Sequence, residues 1–176
     1  MLSKKPVKTY HYLIVLIWLL FTVIAAIYFI SGRLVAFDPE SKLSARSGNF
    51  VIEELKRIDQ LKGIDLSDTI IHFTSENCSC TQYSEAHKKE INIKASKDGF
   101  NIINVSLPAN LITIVPATPA ILVVDKAEQL LYFGPYSIGL ACSESNGYIE
   151  TVLQNYGKGY SASLIINDAI GCYCNL

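Results

Sequence analysis

The sequence predicts an α/β domain, a sandwich built on a mixed central sheet, preceded by one N-terminal transmembrane helix. Two observations carry this prediction: a long apolar run without charges near the start, and strand and helix signals after it in the order β-α-β, then β-β-α. Half of the 176 residues are apolar and 18% are charged, which excludes a disordered or collagen-like chain. The formal net charge of −1 offers no basic excess, so we expect no nucleic-acid partner.

The apolar run covers residues 12–30 and contains no charged residue. A helix of that length spans roughly 28 Å, close to the hydrocarbon thickness of a bilayer. The apolar part of a signal peptide is usually shorter, about 7–15 residues, so we predict an uncleaved single-pass anchor. Residues 1–11 carry three lysines, against Arg33 alone just after the run. This asymmetry predicts a cytoplasmic N-terminus.

With that orientation, residues 31–176 lie outside the cytoplasm. We therefore predict a protein of the bacterial inner (cytoplasmic) membrane whose C-terminal domain is in the periplasm, a compartment where disulfides persist. Residues 31–49 are polar, with Gly, Pro and Ser but no sustained periodicity, and are predicted to form a linker. The folded domain is expected over residues 50–176.

The first half of this domain predicts a helix and then a β-α-β unit. Residues 50–62 space apolar side chains as an amphipathic helix does. Residues 69–73 (TIIHF) predict a strand that leads into a cysteine pair, and residues 82–94 predict a polar helix after it. A second strand is expected over residues 100–106 (FNIINVS).

The second half predicts two more strands, a helix and a last strand. A proline-containing loop over residues 107–118 precedes a hairpin formed by residues 120–124 and 130–133. Residues 144–156 predict a second amphipathic helix. Residues 163–166 predict a final strand before another cysteine pair.

Four of the five cysteines form two C-x-C pairs, Cys78 with Cys80 and Cys172 with Cys174. Cys78 falls where a strand ends and a helix begins, and the helix dipole there stabilises a thiolate, the form that attacks disulfides. A disulfide between Cys78 and Cys80 would close a small ring and would be easily reduced. This predicts a redox role, with a structural bridge or two unreactive thiols as the alternatives.

Two segments resemble a known family. Residues 69–80 (TIIHFTSENCSC), followed by a helix, resemble the strand, active-site turn and helix of thioredoxin-like proteins. Residues 118–132 (TPAILVVDKAEQLLY) resemble the cis-proline and the following hairpin of that fold. The resemblance covers roughly residues 50–157. With its anchor and its C-terminal C-x-C, the chain also resembles an uncharacterised family of membrane-anchored bacterial thioredoxin-like proteins. It implies a thioredoxin-like sandwich.

The resemblance also implies roles for individual residues. It makes Cys78 the attacking cysteine and Pro119 the cis-proline beside it. Thr118 would offer backbone hydrogen bonds to a bound substrate peptide. His72 lies six residues before Cys78, where many thioredoxins have a buried carboxylate that relays protons, and a histidine could do the same. The alternative for His72 is a core histidine whose hydrogen bonds are satisfied.

The sequence departs from the thioredoxin pattern at two places. Thr81 stands where the second cysteine of C-x-x-C is expected, and Asn77 replaces the aromatic residue that normally precedes the first cysteine. Either Cys80 therefore resolves the mixed disulfide, or Cys78 works with a cysteine elsewhere. We expect the two C-x-C pairs to lie close together if they exchange disulfides.

Three roles stay open for Cys172 and Cys174. They could be a second redox pair, a structural bridge that pins the end of the chain to Cys142, or metal ligands. His87, on the polar helix after the first pair, is expected on a solvated face.

The sequence thus predicts a membrane-anchored extracytoplasmic thiol-disulfide oxidoreductase that acts on protein thiols and disulfides through a C-x-C motif. We predict no cofactor and no metal in its site. One alternative is a copper- or zinc-binding accessory protein, since four thiolates suit Cu(I) or Zn(II). Another is a thioredoxin-fold binding module without chemistry.

Overall fold

The computed structural model describes residues 9–32, 34–108, 111, 113–139 and 147–176. The chain forms two compact units, Met1–Arg33 and Leu34–Leu176. Over the described residues 9–32, the first unit forms the helix α1 (Thr9–Ser31), which has no buried residue. Among the described residues, α1 is the helix that is long and apolar enough to cross a membrane, judged by length and composition. The predicted N-terminal apolar helix is therefore confirmed; the lysines that predicted its orientation lie outside the described residues.

The second unit contains the sheet and the remaining helices. Its elements are β1 (Val35–Ala36), α2 (Gly48–Leu55), β2 (Thr69–Ser75), α3 (Thr81–Lys97), β3 (Asn101–Leu107), β4 (Ala117–Thr118), β5 (Ala120–Val124), β6 (Leu130–Pro135), α4 (Tyr148–Gly157), β7 (Leu164–Ile165), β8 (Ile170–Gly171) and β9 (Cys174–Asn175).

Five of these strands form one mixed sheet in the order β3-β2-β5-β6-β7. The β2–β3 and β6–β7 pairs are parallel, whereas β5 is antiparallel to both of its neighbours. The predicted α/β architecture with a mixed sheet is confirmed. Two further ladders, β1–β8 and β4–β9, lie outside this sheet and attach the end of the chain to the domain.

Each face of the sheet has its own apolar core, because successive side chains of a strand point to opposite faces. Ile70 and Ile71 illustrate this, since both are fully buried but belong to different clusters. One core contains side chains of α2 and the other contains side chains of α3 and α4. Strand β2, which leads to the first cysteine pair, is thus covered on both faces.

The ends of two helices differ from prediction. Helix α2 ends at Leu55 rather than residue 62, because the chain continues in tight turns whose hydrogen bonds span three residues. The amides of Ile58 and Leu61 donate to the carbonyls of Leu55 and Ile58. Helix α4 begins at Tyr148, and residues 144–146 of the predicted helix lie outside the described residues.

The predicted linker over residues 31–49 is wrong from residue 34 onward. Phe37 and Leu43 are 0% and 2% exposed and belong to the core that also contains α2. The carboxylate of Asp38 accepts hydrogen bonds of 2.8 Å from the amides of Lys42 and Leu43 and so holds this stretch in a fixed turn. Single apolar residues in a polar stretch have no periodicity, and for that reason the sequence favoured a linker.

Candidate functional site

Cys78 and Cys80 lie on a tight turn between β2 and α3. Asn77 has a φ of 62°, a left-handed conformation that Asn tolerates better than most residues, and it reverses the chain at the end of the strand. The amide of Thr81 donates to the carbonyl of Cys78 at 3.2 Å, and Cys80 is the N-cap residue of α3. Both sulfurs are therefore held at the N-terminal end of a 17-residue helix.

The two C-x-C pairs are joined by two disulfides, Cys78–Cys174 and Cys80–Cys172. The expected closeness of the pairs is confirmed. Of the two alternatives left open for the partner of Cys78, the structure shows a cysteine elsewhere, Cys174, and not Cys80. The first cysteine of one pair bonds to the last cysteine of the other, as in two antiparallel segments, so both bonds join the C-terminal segment to the turn before α3.

The two disulfides differ in their access to solvent. Cys78, Cys172 and Cys174 are half-buried, whereas Cys80 is only 6% exposed. The sulfur atoms of Cys78, Cys80 and Cys174 all lie within 4.8 Å of one another. Both sulfurs of the Cys78–Cys174 bond are therefore partly accessible to a thiolate from outside, whereas the Cys80–Cys172 bond is accessible only at Cys172.

The end of the chain pairs with β4 beside these disulfides. In the antiparallel β4–β9 ladder, Thr118 lies opposite Cys174 and Ala117 lies opposite Asn175. The Sγ atom of Cys78 lies 3.6 Å from the carbonyl oxygen of Thr118. The Thr118–Pro119 peptide bond is cis, as the resemblance implied. The backbone edge that the resemblance assigns to a substrate peptide is thus occupied by residues of the chain itself.

Tyr173 anchors this segment. Its hydroxyl donates to the carbonyl of Ser137 at 2.6 Å, and its ring packs edge-on against Phe37 at 5.3 Å between centroids. A Cβ atom at Gly171 would lie 2.6 Å from the Tyr173 ring, so this position accepts only glycine without rearrangement. The segment from Ile170 to Leu176 is therefore packed and hydrogen-bonded.

His72 is fully buried on β2, the strand that leads to the first cysteine pair. Its Nε2 atom lies 2.7 Å from Oδ1 of Asn92, and its Nδ1 atom bonds to the hydroxyl of Tyr136. Burial lowers the pKa of His72 to about 4, against the opposing hydrogen bond to Asn92. Both ring nitrogens are used and neither contacts a cysteine, so these contacts are those of a satisfied core histidine.

We expect His72 to make the domain less stable in acid. Its pKa is about 4 in the folded chain against 6.5 in the unfolded chain, so between these values only the unfolded chain binds the proton. The contribution of neutral His72 to the free energy of unfolding is complete above pH 6.5. It falls by up to about 3 kcal/mol as the pH drops to 4. Urea unfolding of the detergent-solubilised chain measures it. His72→Gln, which does not titrate, should show a shallower pH dependence, and equal dependences would contradict the assignment.

The prediction that His87 lies on a solvated face is wrong. His87 is fully buried between α3 and α4. Its Nε2 atom bonds to a carboxylate oxygen of Glu150. Burial pushes the pKa of Glu150 up, but this hydrogen bond and others outweigh burial and leave the pKa below its usual value. The signal that sequence reasoning missed is spacing, since His87 precedes Ile91 and Ala95 at intervals of four on the buried side of α3.

Cys142 and the possible metal ligands are the remaining candidates from the sequence. Cys142 lies outside the described residues. In the part of the chain that the structure describes, Cys78, Cys80 and Cys174 are the residues whose ligand atoms lie close enough to share a metal ion. They could do so as thiolates, which requires both disulfides to be reduced.

Comparison with known protein families gives a match over most of the domain. A family model described as a domain of unknown function (DUF6436) matches residues 50–176, a range that contains both C-x-C pairs, β4 and the cis bond. A search of curated proteins and a search of solved structures each gave no match. Since the family model covers well over half of the sequence, the chain belongs to the DUF6436 family.

Proposed function

We propose that this protein is a membrane-anchored thiol-disulfide oxidoreductase with a thioredoxin-like fold, acting on protein thiols and disulfides through Cys78. The observation that carries the proposal is the cluster of two linked C-x-C pairs at the N-terminal end of α3. The unpaired amides and dipole of a helix N-terminus stabilise a thiolate leaving group or nucleophile. The sheet order and the cis bond before Pro119 support the thioredoxin-like assignment.

The Cys78–Cys174 disulfide, both of whose cysteines are half-buried, defines the chemical step. A substrate thiolate attacks Sγ of Cys78, a substrate–Cys78 disulfide forms, and Cys174 leaves as a thiolate. A second substrate thiolate then attacks the substrate sulfur of this mixed disulfide, and Cys78 leaves as a thiolate. The substrate loses two electrons and two protons, and the Cys78–Cys174 bond gains them. The same steps in reverse reduce a substrate disulfide.

The second disulfide, Cys80–Cys172, can re-oxidise Cys78. The thiolate of Cys78 can attack Sγ of Cys80, which lies within 4.8 Å, and release Cys172. The two C-x-C pairs would then exchange disulfides with each other. This supports a second redox pair rather than an inert bridge for Cys172 and Cys174.

The proposed location is the bacterial inner membrane, with the domain in the periplasm. Helix α1 has the length and composition of a single-pass anchor. The excess of lysine before it favours a cytoplasmic N-terminus, and two disulfides suit an oxidising compartment.

The test uses the full chain in detergent with Cys142→Ser as the background. After complete reduction and removal of the reductant, this chain should reduce a model protein disulfide stoichiometrically, because Cys78 provides the attacking thiolate. Cys78→Ser should slow the reaction sharply, because it removes the proposed attacking thiolate and leaves only the thiols of the second pair and of Cys80. Cys80→Ser, the matched control, should keep the first exchange with the substrate. Unchanged reduction by Cys78→Ser would contradict the proposal.

A copper- or zinc-binding protein is the second candidate, because three sulfurs lie within 4.8 Å of one another. Thiolates suit Cu(I) and Zn(II). Tight stoichiometric binding of either ion by the reduced chain, without disulfide exchange, would favour this candidate. If the reduced chain shows no metal binding and no disulfide exchange, the third candidate, a binding module without chemistry, is favoured.

A further inference from the structure

The C-terminal segment of this chain occupies β4 as a substrate segment would, and its side chains describe the partner that fits. Strand β4 presents backbone groups along one edge, and such an edge pairs with any extended segment of suitable shape. Here the pairing segment is β9, with Cys174 opposite Thr118. The amide of Leu176 continues the pairing and donates to the carbonyl of Pro116 at 3.2 Å.

The position of the sulfur fixes the register. Disulfide exchange requires the partner sulfur to contact Sγ of Cys78, and Cys174 meets this requirement from its place opposite Thr118. A partner segment that lies on β4 must therefore put its own cysteine opposite Thr118. The Cys78–Cys174 bond is in this sense an intramolecular copy of the mixed disulfide with a partner.

The neighbours of Cys174 define two further subsites. Tyr173, just before the cysteine, is 8% exposed, with its ring against Phe37 and its hydroxyl on a backbone carbonyl. Leu176, two residues after the cysteine, is half-buried and packs on the apolar core. Asn175 between them is exposed. When the segment leaves β4, it uncovers an aromatic subsite and an aliphatic subsite on either side of Cys78.

We propose that the protein exchanges disulfides with an extended segment of pattern aromatic-Cys-polar-aliphatic, which replaces residues 173–176 on β4. This inference rests on the proposed function and adds the substrate class to it. In the reductive direction, the thiolate of Cys78 attacks the cysteine of this segment, and the other cysteine of the substrate disulfide leaves as a thiolate. The thiolate of Cys174 then attacks Sγ of Cys78, the Cys78–Cys174 bond re-forms, and the segment is released reduced.

The test uses the full chain in detergent with Ser at residues 142 and 174, so that Cys78 is its one free thiol and the Cys80–Cys172 bond is kept. Cys78 is first converted to its mixed disulfide with thionitrobenzoate. A peptide thiolate then attacks Sγ of Cys78, and coloured thionitrobenzoate leaves. The matched peptide is Gly-Tyr-Cys-Asn-Leu-Gly, and the controls are Gly-Ala-Cys-Asn-Ala-Gly, the reversed peptide Gly-Leu-Asn-Cys-Tyr-Gly, and free cysteine.

Each rate is divided by the rate of the same peptide with free thionitrobenzoate disulfide, which corrects for differences in thiol reactivity. After this correction, we expect the matched peptide to react about tenfold faster than either control peptide. About 1.4 kcal/mol of binding at the subsites provides a factor of ten. Tyr173→Ala, which weakens the competing segment, should raise the rate of the matched peptide further than that of free cysteine. Circular dichroism checks that the parent test chain and this variant are both folded, and Tyr173→Phe, which keeps the ring in place, is the matched control.

Two results would overturn the inference, and they are distinguishable. Equal rates for all peptides, with free cysteine still reacting, would contradict the two subsites but leave Cys78 as a reactive residue. No release of thionitrobenzoate by any thiol would remove the proposed function itself and the inference with it.

Discussion

Loss of both disulfides should lower the free energy of unfolding by roughly 7 kcal/mol, the largest effect that we expect of any change in the domain. The two bonds join residues 96 and 92 positions apart and are nested. In the chain-entropy description, the first bond to form closes a loop of about 100 residues, worth about 4.7 kcal/mol. The second then closes a ring of only about six residues, worth about 2 kcal/mol.

This nesting predicts strong non-additivity. Removal of Cys80–Cys172 alone, by Ser at both positions, should cost about 2 kcal/mol, because the long loop is still closed by the other bond. Removal of Cys78–Cys174 alone should cost about the same. Urea unfolding of the detergent-solubilised chain without reductant, in a Cys142→Ser background, measures all three variants. If the two single-bond losses summed to the loss of both, the two bonds would not share one loop.

The second large effect is expected at Tyr173. Tyr173→Ala removes a buried ring from between Phe37 and the core and also removes the hydrogen bond to Ser137. Truncation of a buried aromatic residue to alanine typically costs about 3–5 kcal/mol, so we expect about 3 kcal/mol for a residue that is 8% exposed.

The control for this prediction is Tyr173→Phe, which keeps the ring and loses only the hydroxyl. It should cost about 1 kcal/mol, the usual net value of one hydrogen bond. Both variants are compared in the oxidised chain by urea unfolding, so that the disulfides are the same in each. Equal losses for the two variants would mean that the ring contributes nothing and that Tyr173 does not anchor the segment.

The sequence predicts the sheet well where local patterns are strong. The hairpin over 120–124 and 130–133 follows from an aliphatic run and an aliphatic-aromatic run separated by a turn, and its strands are β5 and β6 with β6 two residues longer. The position of the first cysteine pair between β2 and α3 also follows from local signals, because a strand, a polar turn and a helix-forming stretch succeed one another there.

The contacts of the chain end cannot be predicted in this way. The β4–β9 and β1–β8 ladders have two residues in each strand, too few to show any alternation. Their partners are about 57 and 135 positions apart in the sequence. Which cysteine bonds to which depends on this pairing, so spacing alone leaves the connectivity open. His87 shows a different failure, since a histidine between lysines and glutamates looks solvated until its partner on α4 is known.

The β1–β8 ladder has a consequence for the lifetime of any bond between Cys78 and an outside thiol. When Cys78–Cys174 opens, the ladder still holds Gly171, and Cys174 lies three residues further on. Those residues reach at most roughly 10 Å, so the free thiolate stays confined near the site it left. A tethered group over such a short span has an effective concentration in the millimolar range or above. In the exchange that we propose, an outside thiol at micromolar concentration is therefore displaced soon after it binds, so its mixed disulfide with Cys78 should be short-lived.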